Sequence, residues 1–253
     1  MKRYVLSLFI ILGLTVSVTA QTVFSVAAAA NLSAVDAPLR EAFAKANPGM
    51  ELRFTFGASG TLVTQITQGA PYQAFLSADR DFAQKLVDAG LATGPVRTYA
   101  VGQLIFLATQ PMDLSKGLKV LLDPQVAQFA NCNPEIAPYG RAAVEALTAA
   151  GLWDQVKAKQ ILAQSVTQAF QFTVTATNFG FVNRSVLFTK EGKAFDQEGS
   201  RWFAVDPSLY RPIEQGYVTL KSAEGSPAAQ AFERFLFSPE ARKVFAAYGY
   251  GAP

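Results

Sequence analysis

The stretch FGASGTLVTQITQGAPYQAFLSAD, residues 56–79, decides the fold. A β-rich run ends at Phe56, and a small, hydroxyl-bearing turn, Gly57-Ala58-Ser59-Gly60-Thr61, opens a helix. Leu62 and Ile66 fall four residues apart, on one face of that helix. Gly69-Ala70-Pro71 ends it, and YQAFLSAD reads as the next strand. Strand, turn, helix and strand in so short a span form the unit of a mostly parallel sheet covered by helices. The turn also raises a chemical question. It offers backbone N–H groups and hydroxyls, yet neither the turn nor its helix carries a charged residue.

The same alternation extends in both directions. TVFSVAAAA (residues 22–30) reads as a buried strand, followed by Leu32, Val35, Leu39, Phe43 and Ala46 at helical spacing. Pro38 suits a first turn, so the regular helix is expected near Asp36, with Asn31 in an irregular lead-in. ELRFTF (51–56) is a strand and RDFAQKLVDAG (80–90) a helix closed by Gly90. Two long β-rich runs follow, TYAVGQLIFLAT (98–109) and YRPIEQGYVTLKS (210–222). Between them lies a second α/β set: a strand in QFANCNP, a helix in YGRAAVEALTAAG, a short helix from Val166 and a strand in NFGFVNRSVLF. SPAAQAFERFLFSPEARKVFAAYGY then reads as two closing helices. The expected architecture is α/β: two α/β lobes joined by two crossing strands, with residues 21–103 and 217–253 in lobe 1, residues 104–216 in lobe 2, and a ligand cleft between them.

Composition narrows the function. Met1-Lys2-Arg3, an apolar run to Val18 and a small-residue end at Ala20 read as a secretory signal peptide over residues 1–20, which predicts a periplasmic or extracytoplasmic protein. The formal charge of +3 includes Lys2 and Arg3, so the mature chain is nearly neutral and has no electrostatic footprint for nucleic acid. Cys132 is the only cysteine, which rules out an intramolecular disulfide, so a core must stabilise the fold; 50% hydrophobic residues suffice for one. Histidine is absent, which removes His-dependent triads and His-ligated metals.

Four segments share one design, a strand end, a small or hydroxyl-bearing turn and a helix start: Ala30-Asn31-Leu32-Ser33, Ala58-Ser59-Gly60-Thr61, Pro138-Tyr139-Gly140 and Ser165-Val166-Thr167. Helix starts leave N–H groups unpaired and carry roughly half a positive charge. Several of them converging on one cleft would bind an anion without Lys or Arg. Taken singly, each has a plainer reading. Ser59 or Thr61 could simply cap its helix, Asn31 could be a turn residue, Tyr139 a surface aromatic and Val166 a core residue.

VAAAANLSAV, FGASGTLVTQITQGAPYQAFLSAD, NPEIAPYGRAAVEALTAAGLWD and GFVNRS occur in the order and spacing of the periplasmic molybdate-binding proteins, the capture components of molybdate ABC transporters. The resemblance spans essentially the whole mature chain. It implies the type 2 periplasmic binding protein fold, no catalytic residues and no cofactor, a molybdate or tungstate ligand, a membrane permease as partner, and a monomer. It also implies four oxyanion contacts: Asn31, where many members have serine; Ser59, through hydroxyl and N–H; Tyr139, where members use either a backbone N–H or a tyrosine hydroxyl; and Val166, through its N–H. Some members place a ligand tyrosine where this chain has Asn183, which is therefore left out of the expected site. On this reading the anion bridges the lobes as they rotate together, and shared contacts favour the closed form.

Rival readings remain within the sequence. A sulfate carrier on the same fold differs only in ligand, since a donor pocket suits any dianion. Ferric-ion capture needs a tyrosine pair, for which only Tyr248 and Tyr250 offer themselves. An exported serine hydrolase built on Ser59 would need a lysine base, and none stands at a recognisable spacing. A sensor module that passes ligand state to another protein is a further alternative.

Overall fold

The computed structural model describes residues 22–253, and the expected signal peptide lies outside them. Along the chain the first five strands are β1 (Thr22–Ala29), β2 (Met50–Gly57), β3 (Ala74–Leu76), β4 (Ala92–Gly102) and β5 (Leu104–Ala108). They are followed by β6 (Phe129–Cys132), β7 (Gln160–Ala163), β8 (Phe179–Asn183), β9 (Trp202–Ala204) and β10 (Ile213–Leu220). The helices are α1 (Asp36–Ala46), α2 (Ser59–Thr67), α3 (Arg80–Asp88), α4 (Pro138–Ala149), α5 (Trp153–Val156), α6 (Val166–Phe172), α7 (Pro227–Leu236) and α8 (Pro239–Ala247).

The strands form two five-stranded sheets, ordered β2-β1-β3-β10-β4 and β7-β6-β8-β5-β9. In the first, β1 pairs parallel with β2 and β3, and β10 runs antiparallel between β3 and β4. In the second, β6 pairs parallel with β7 and β8, while β5 is antiparallel to β8 and β9. The two α/β lobes expected from the sequence are therefore present, each with a parallel strand pair at its centre.

Both sheets are covered on both faces, which explains their apolar runs. Along β1, Phe24, Val26 and Ala28 pack under α1, α7 and α8 with Phe43, Phe232 and Phe235, while Ala27 faces Leu62 and Leu86 of α2 and α3. The period-2 alternation of a strand thus feeds two cores. In β5, Leu104 and Phe106 join one cluster and Ile105 and Leu107 the other.

The structure divides the run expected as one crossing strand. β4 lies in the first sheet and β5 in the second, with Gln103 between them. Beside the break, a Cβ at Gly102 would collide with the Tyr139 hydroxyl and approach Gln215 Nε2, so only glycine fits there. The other run crosses at its start, where Tyr210 packs against the second lobe's core before the chain enters the first sheet. β10 lies in the first sheet from Ile213 onward, and the chain changes lobe between β9 and β10. The strand expected in YQAFLSAD is only three residues long, and β7 and β9, of four and three residues, are too short for periodicity to mark.

Cys132 ends β6 fully buried, and desolvation pushes its thiol up to about 12. A thiol so held has almost no thiolate at neutral pH. The folded protein is expected to leave an aromatic disulfide reagent unreacted at pH 8, and to release one equivalent of thiolate only on denaturation.

Candidate oxyanion-binding site

The carboxyl ends of β1 and β2 and the starts of α4 and α6 face one another across the lobes, as ligand sites in open α/β sheets do. Between them lies a cavity bordered by Asn31, Ser59, Tyr139 and Val166, so all four residues singled out in the sequence meet at one place. The rest of the lining is alanine, with Gly57 and Pro138, and no charged side chain among the described residues borders it. It is narrow, about 10 Å³ of room for the centre of a water-sized sphere, on the order of the space one water needs.

The caps bear on the plain reading of Ser59, although α1 and α5, away from the cavity, also start without a side-chain cap. Away from the cavity, Asp79 caps α3, Ser226 caps α7 and Ser238 caps α8, each accepting from a first-turn N–H. At the cavity, α2 and α4 have Ala58 and Ala137 in the capping position, with no side-chain bond, and the turn holding Asn31 also has none. Ser59 is therefore not a cap but the first residue of its helix. Only α6 is capped, by Ser165, which takes the Gln168 N–H at 3.2 Å. The Gly60 N–H goes to Ile136 O and that of Gly140 to Ala137 O. The N–H groups of Asn31, Ser59, Tyr139 and Val166 find no acceptor among the described residues.

Each residue offers a defined group. Ser59 is 1% exposed, and its Oγ accepts the Ala78 N–H at 3.0 Å, which leaves the hydroxyl hydrogen to donate. Tyr139 is buried and borders the cavity; its hydroxyl lies against Gly102 at the lobe crossing, near the Gln215 amide that holds Asn31, and its N–H opens α4. Burial pushes that phenol well above the usual tyrosine range. Val166 opens α6 on a short turn, where only its main chain is polar.

Asn31 is held by residues that the sequence did not single out with it. Its Nδ2 donates to Gln215 Oε1 at 2.8 Å and to Tyr250 Oη at 2.9 Å. Gln215 is itself fixed, because its Nε2 donates to the carbonyls of Ala78 and Ile213. Both amide hydrogens of Asn31 are thus used inside the protein, and its buried Oδ1 has no partner. The Asn31 carbonyl accepts from Tyr250 and Ser185, and more weakly from Asn183 at 3.4 Å. Asn183, set aside in the sequence, supports the Asn31 turn from the second lobe. Tyr250 is a buried structural donor, while Tyr248 packs tilted against Phe188, so the two do not face a common site.

The lobes touch directly at the cavity. Gly60 N donates to Ile136 O at 2.9 Å, and Thr167 Oγ1 to Ala30 O at 3.0 Å. Glycine at position 60 has a steric reason: a Cβ there would lie 2.9 Å from Phe82 Cε1 and 3.0 Å from the Ile136 Cα. Gly60→Ala is expected to keep the secondary structure and force the lobes apart. Small-angle scattering should record a larger radius of gyration, and a profile superposable on the parent's would contradict the contact.

Comparison with known proteins agrees with this geometry. The family model described as bacterial extracellular solute-binding protein matches residues 24–251. The chain is 36% identical to the molybdate-binding protein ModA of Rhodobacter capsulatus over 96% of this chain and 94% of the relative. It is 38% identical to that of Azotobacter vinelandii over 89% and 88%. The structure of the Azotobacter vinelandii periplasmic molybdate-binding protein superposes with a TM-score of 0.80, at 32% identity, covering 91% of this chain and 99% of that one. The sulfate-binding protein SubI of Mycobacterium tuberculosis shares the fold at 17% identity, with a TM-score of 0.72 over 90% and 86%. These relatives are solute-binding proteins, not enzymes. The chain belongs to the bacterial extracellular solute-binding protein family and, within it, to the family of the periplasmic molybdate-binding proteins.

Proposed function

We propose that this protein captures molybdate between its two lobes and delivers it to the membrane permease of an ABC transporter. The observation that carries this reading is the neutral cavity onto which uncapped helix starts from both lobes open. The names of its relatives point the same way. Asn31 and Ser59 serve from the first lobe, Tyr139 and Val166 from the second. Asn31, Tyr139 and Val166 act through main-chain N–H groups, and Ser59 adds its hydroxyl hydrogen. The aligned peptides of α2 and α4 each contribute roughly half a positive charge, so a dianion is held without a counter-charged side chain.

Donor chemistry explains the ligand class. Molybdate and tungstate are tetrahedral dianions, fully deprotonated at neutral pH, and this reading treats them alike. Phosphate carries a proton that needs an acceptor. Leaving it unpaired would cost about 1–3 kcal/mol, or roughly 5- to 150-fold in affinity. Sulfate passes that filter, so on this reading only the larger size of molybdate is left to separate the two. The lobes close around the anion, so its size bears on their final separation. Contacts such as Gly60 to Ile136 then report how well its size fits.

The same reading includes export by the signal peptide of residues 1–20, action as a monomer, and no resident cofactor. Its lobes are residues 21–103 with 217–253, and 104–216; β10 reaches back from the first of these to Ile213. Isothermal titration calorimetry of the mature protein tests it. Tight one-to-one binding of molybdate and tungstate is expected, with sulfate and phosphate weak. Ser59→Ala should weaken molybdate roughly 10- to 150-fold, the worth of a hydrogen bond to a charged group. Heat from sulfate and none from molybdate would overturn the assignment.

A further inference from the structure

We propose that Arg141 is the positioning residue that sets how long the lobes stay closed, through an ion-pair network bridging the cleft beside the cavity. The inference rests on the capture reading above and goes beyond it. Arg141 stands two residues after Tyr139 on α4, in the second lobe. Its Nη1 lies 3.4 Å from Asp79 Oδ2 and 3.3 Å from Asp81 Oδ2, both in the first lobe. Its Nε lies 3.7 Å from Glu145 Oε1, one turn along α4. Arg211, on the segment returning to the first lobe, donates its Nε to Glu145 Oε1 at 2.8 Å and reaches Asp81 at 3.6 Å. Glu145 thereby holds Arg211 by accepting hydrogen bonds from its N–H and Nε, and adds a negative charge near Arg141, whose buried Nε has no hydrogen-bond partner among the described residues.

Place and burial single out Arg141. Asp79 caps α3 through the Phe82 N–H and directly follows Ala78, whose N–H fixes Ser59. The network is thus one residue from the anion site in the first lobe and two residues from it in the second. The Arg141 side chain is 19% exposed and that of Asp79 6%, whereas Arg211 and Asp81 are above 60%. Exposed pairs contribute little, so the Arg211–Asp81 contact is minor. The shielded Arg141–Asp79 pair is screened less and has a third and a fourth charge beside it. Burial pushes the Asp79 carboxyl up, and Arg141 is among the groups that pull it back.

These attractions exist only while the lobes are together. They oppose opening rather than speed encounter, so they act on the release rate. No charged side chain among the described residues borders the cavity, so a salt dependence of release, as distinct from capture, belongs to this network.

Stopped-flow fluorescence on the full mature protein with molybdate as the probe tests the proposal, in the parent, Arg141→Gln, Arg141→Lys and Asp81→Asn, at low and high salt. Arg141→Gln is expected to release molybdate about 10-fold faster or more, with association changed far less. Arg141→Lys should restore part of the lifetime, and added salt should speed release from the parent but hardly from Arg141→Gln. Asp81→Asn, at an exposed position that does not threaten folding, should move release in the same direction by less. Parent-like release from both Arg141→Gln and Asp81→Asn, or an unchanged salt response in Arg141→Gln, would overturn it. If the parent takes up no molybdate, the capture reading fails by itself. The network is then read by small-angle scattering, where Arg141→Gln must be wider than the parent and superposable profiles refute the latch.

Discussion

A buried N–H group without an acceptor is costly, and this protein gathers several of them at one point. Three helices away from it have side-chain caps: Asp79, Ser226 and Ser238 each satisfy the first turn that they open. At the cavity the capping positions hold Ala58 and Ala137, which can satisfy nothing. The fold tolerates that local deficit because two sheets with fully covered faces surround it. Stability resides in the phenylalanine-rich cores, and the deficit at their junction is what an anion relieves.

Bringing helix starts from two lobes to one point demands close backbone approach, and the glycines mark where. Gly60 lets α2 meet Ile136 across the cleft, Gly102 makes room for the Tyr139 ring where the chain changes lobe, and Gly140 seats the start of α4 on the carbonyl of Cys132. A side chain at any of the three would move a donor. Selectivity then follows from arrangement rather than from charge. Fixed N–H groups suit a fully deprotonated anion, and the limits on lobe approach act on its size. The ion pairs around Arg141 lie outside this selection, bearing on the lifetime of closure and not on what is enclosed.

Much of this was legible in the residues. Helical spacing from Leu32 to Ala46 and the Pro38 rule correctly left Asn31 in an irregular turn before α1. The turn before Leu62 and the proline before Tyr139 marked the helix starts, because glycine, proline and small residues have narrow backbone roles. What stayed hidden depends on distant partners. Whether Ser59 caps or stands free is decided by Ala58 and by the Ala78 N–H, nineteen residues away. The clamp on Asn31 comes from Gln215 and Tyr250, at separations of 184 and 219 residues, which no local pattern encodes. The split of residues 98–109 between two sheets, and the Tyr139 hydroxyl packed on Gly102 beside it, are invisible to periodicity.

The central claim is that a dianion is held here by neutral donors from both lobes. The most direct measurement is a crystal structure of the molybdate complex with anomalous data at the molybdenum edge. The account predicts a single strong peak between Ser59 and Val166, within hydrogen-bond range of the N–H groups of Asn31, Ser59, Tyr139 and Val166, and no Lys or Arg nitrogen in contact. A peak among Arg141, Arg211 and Asp81, with the cavity bare, would contradict it.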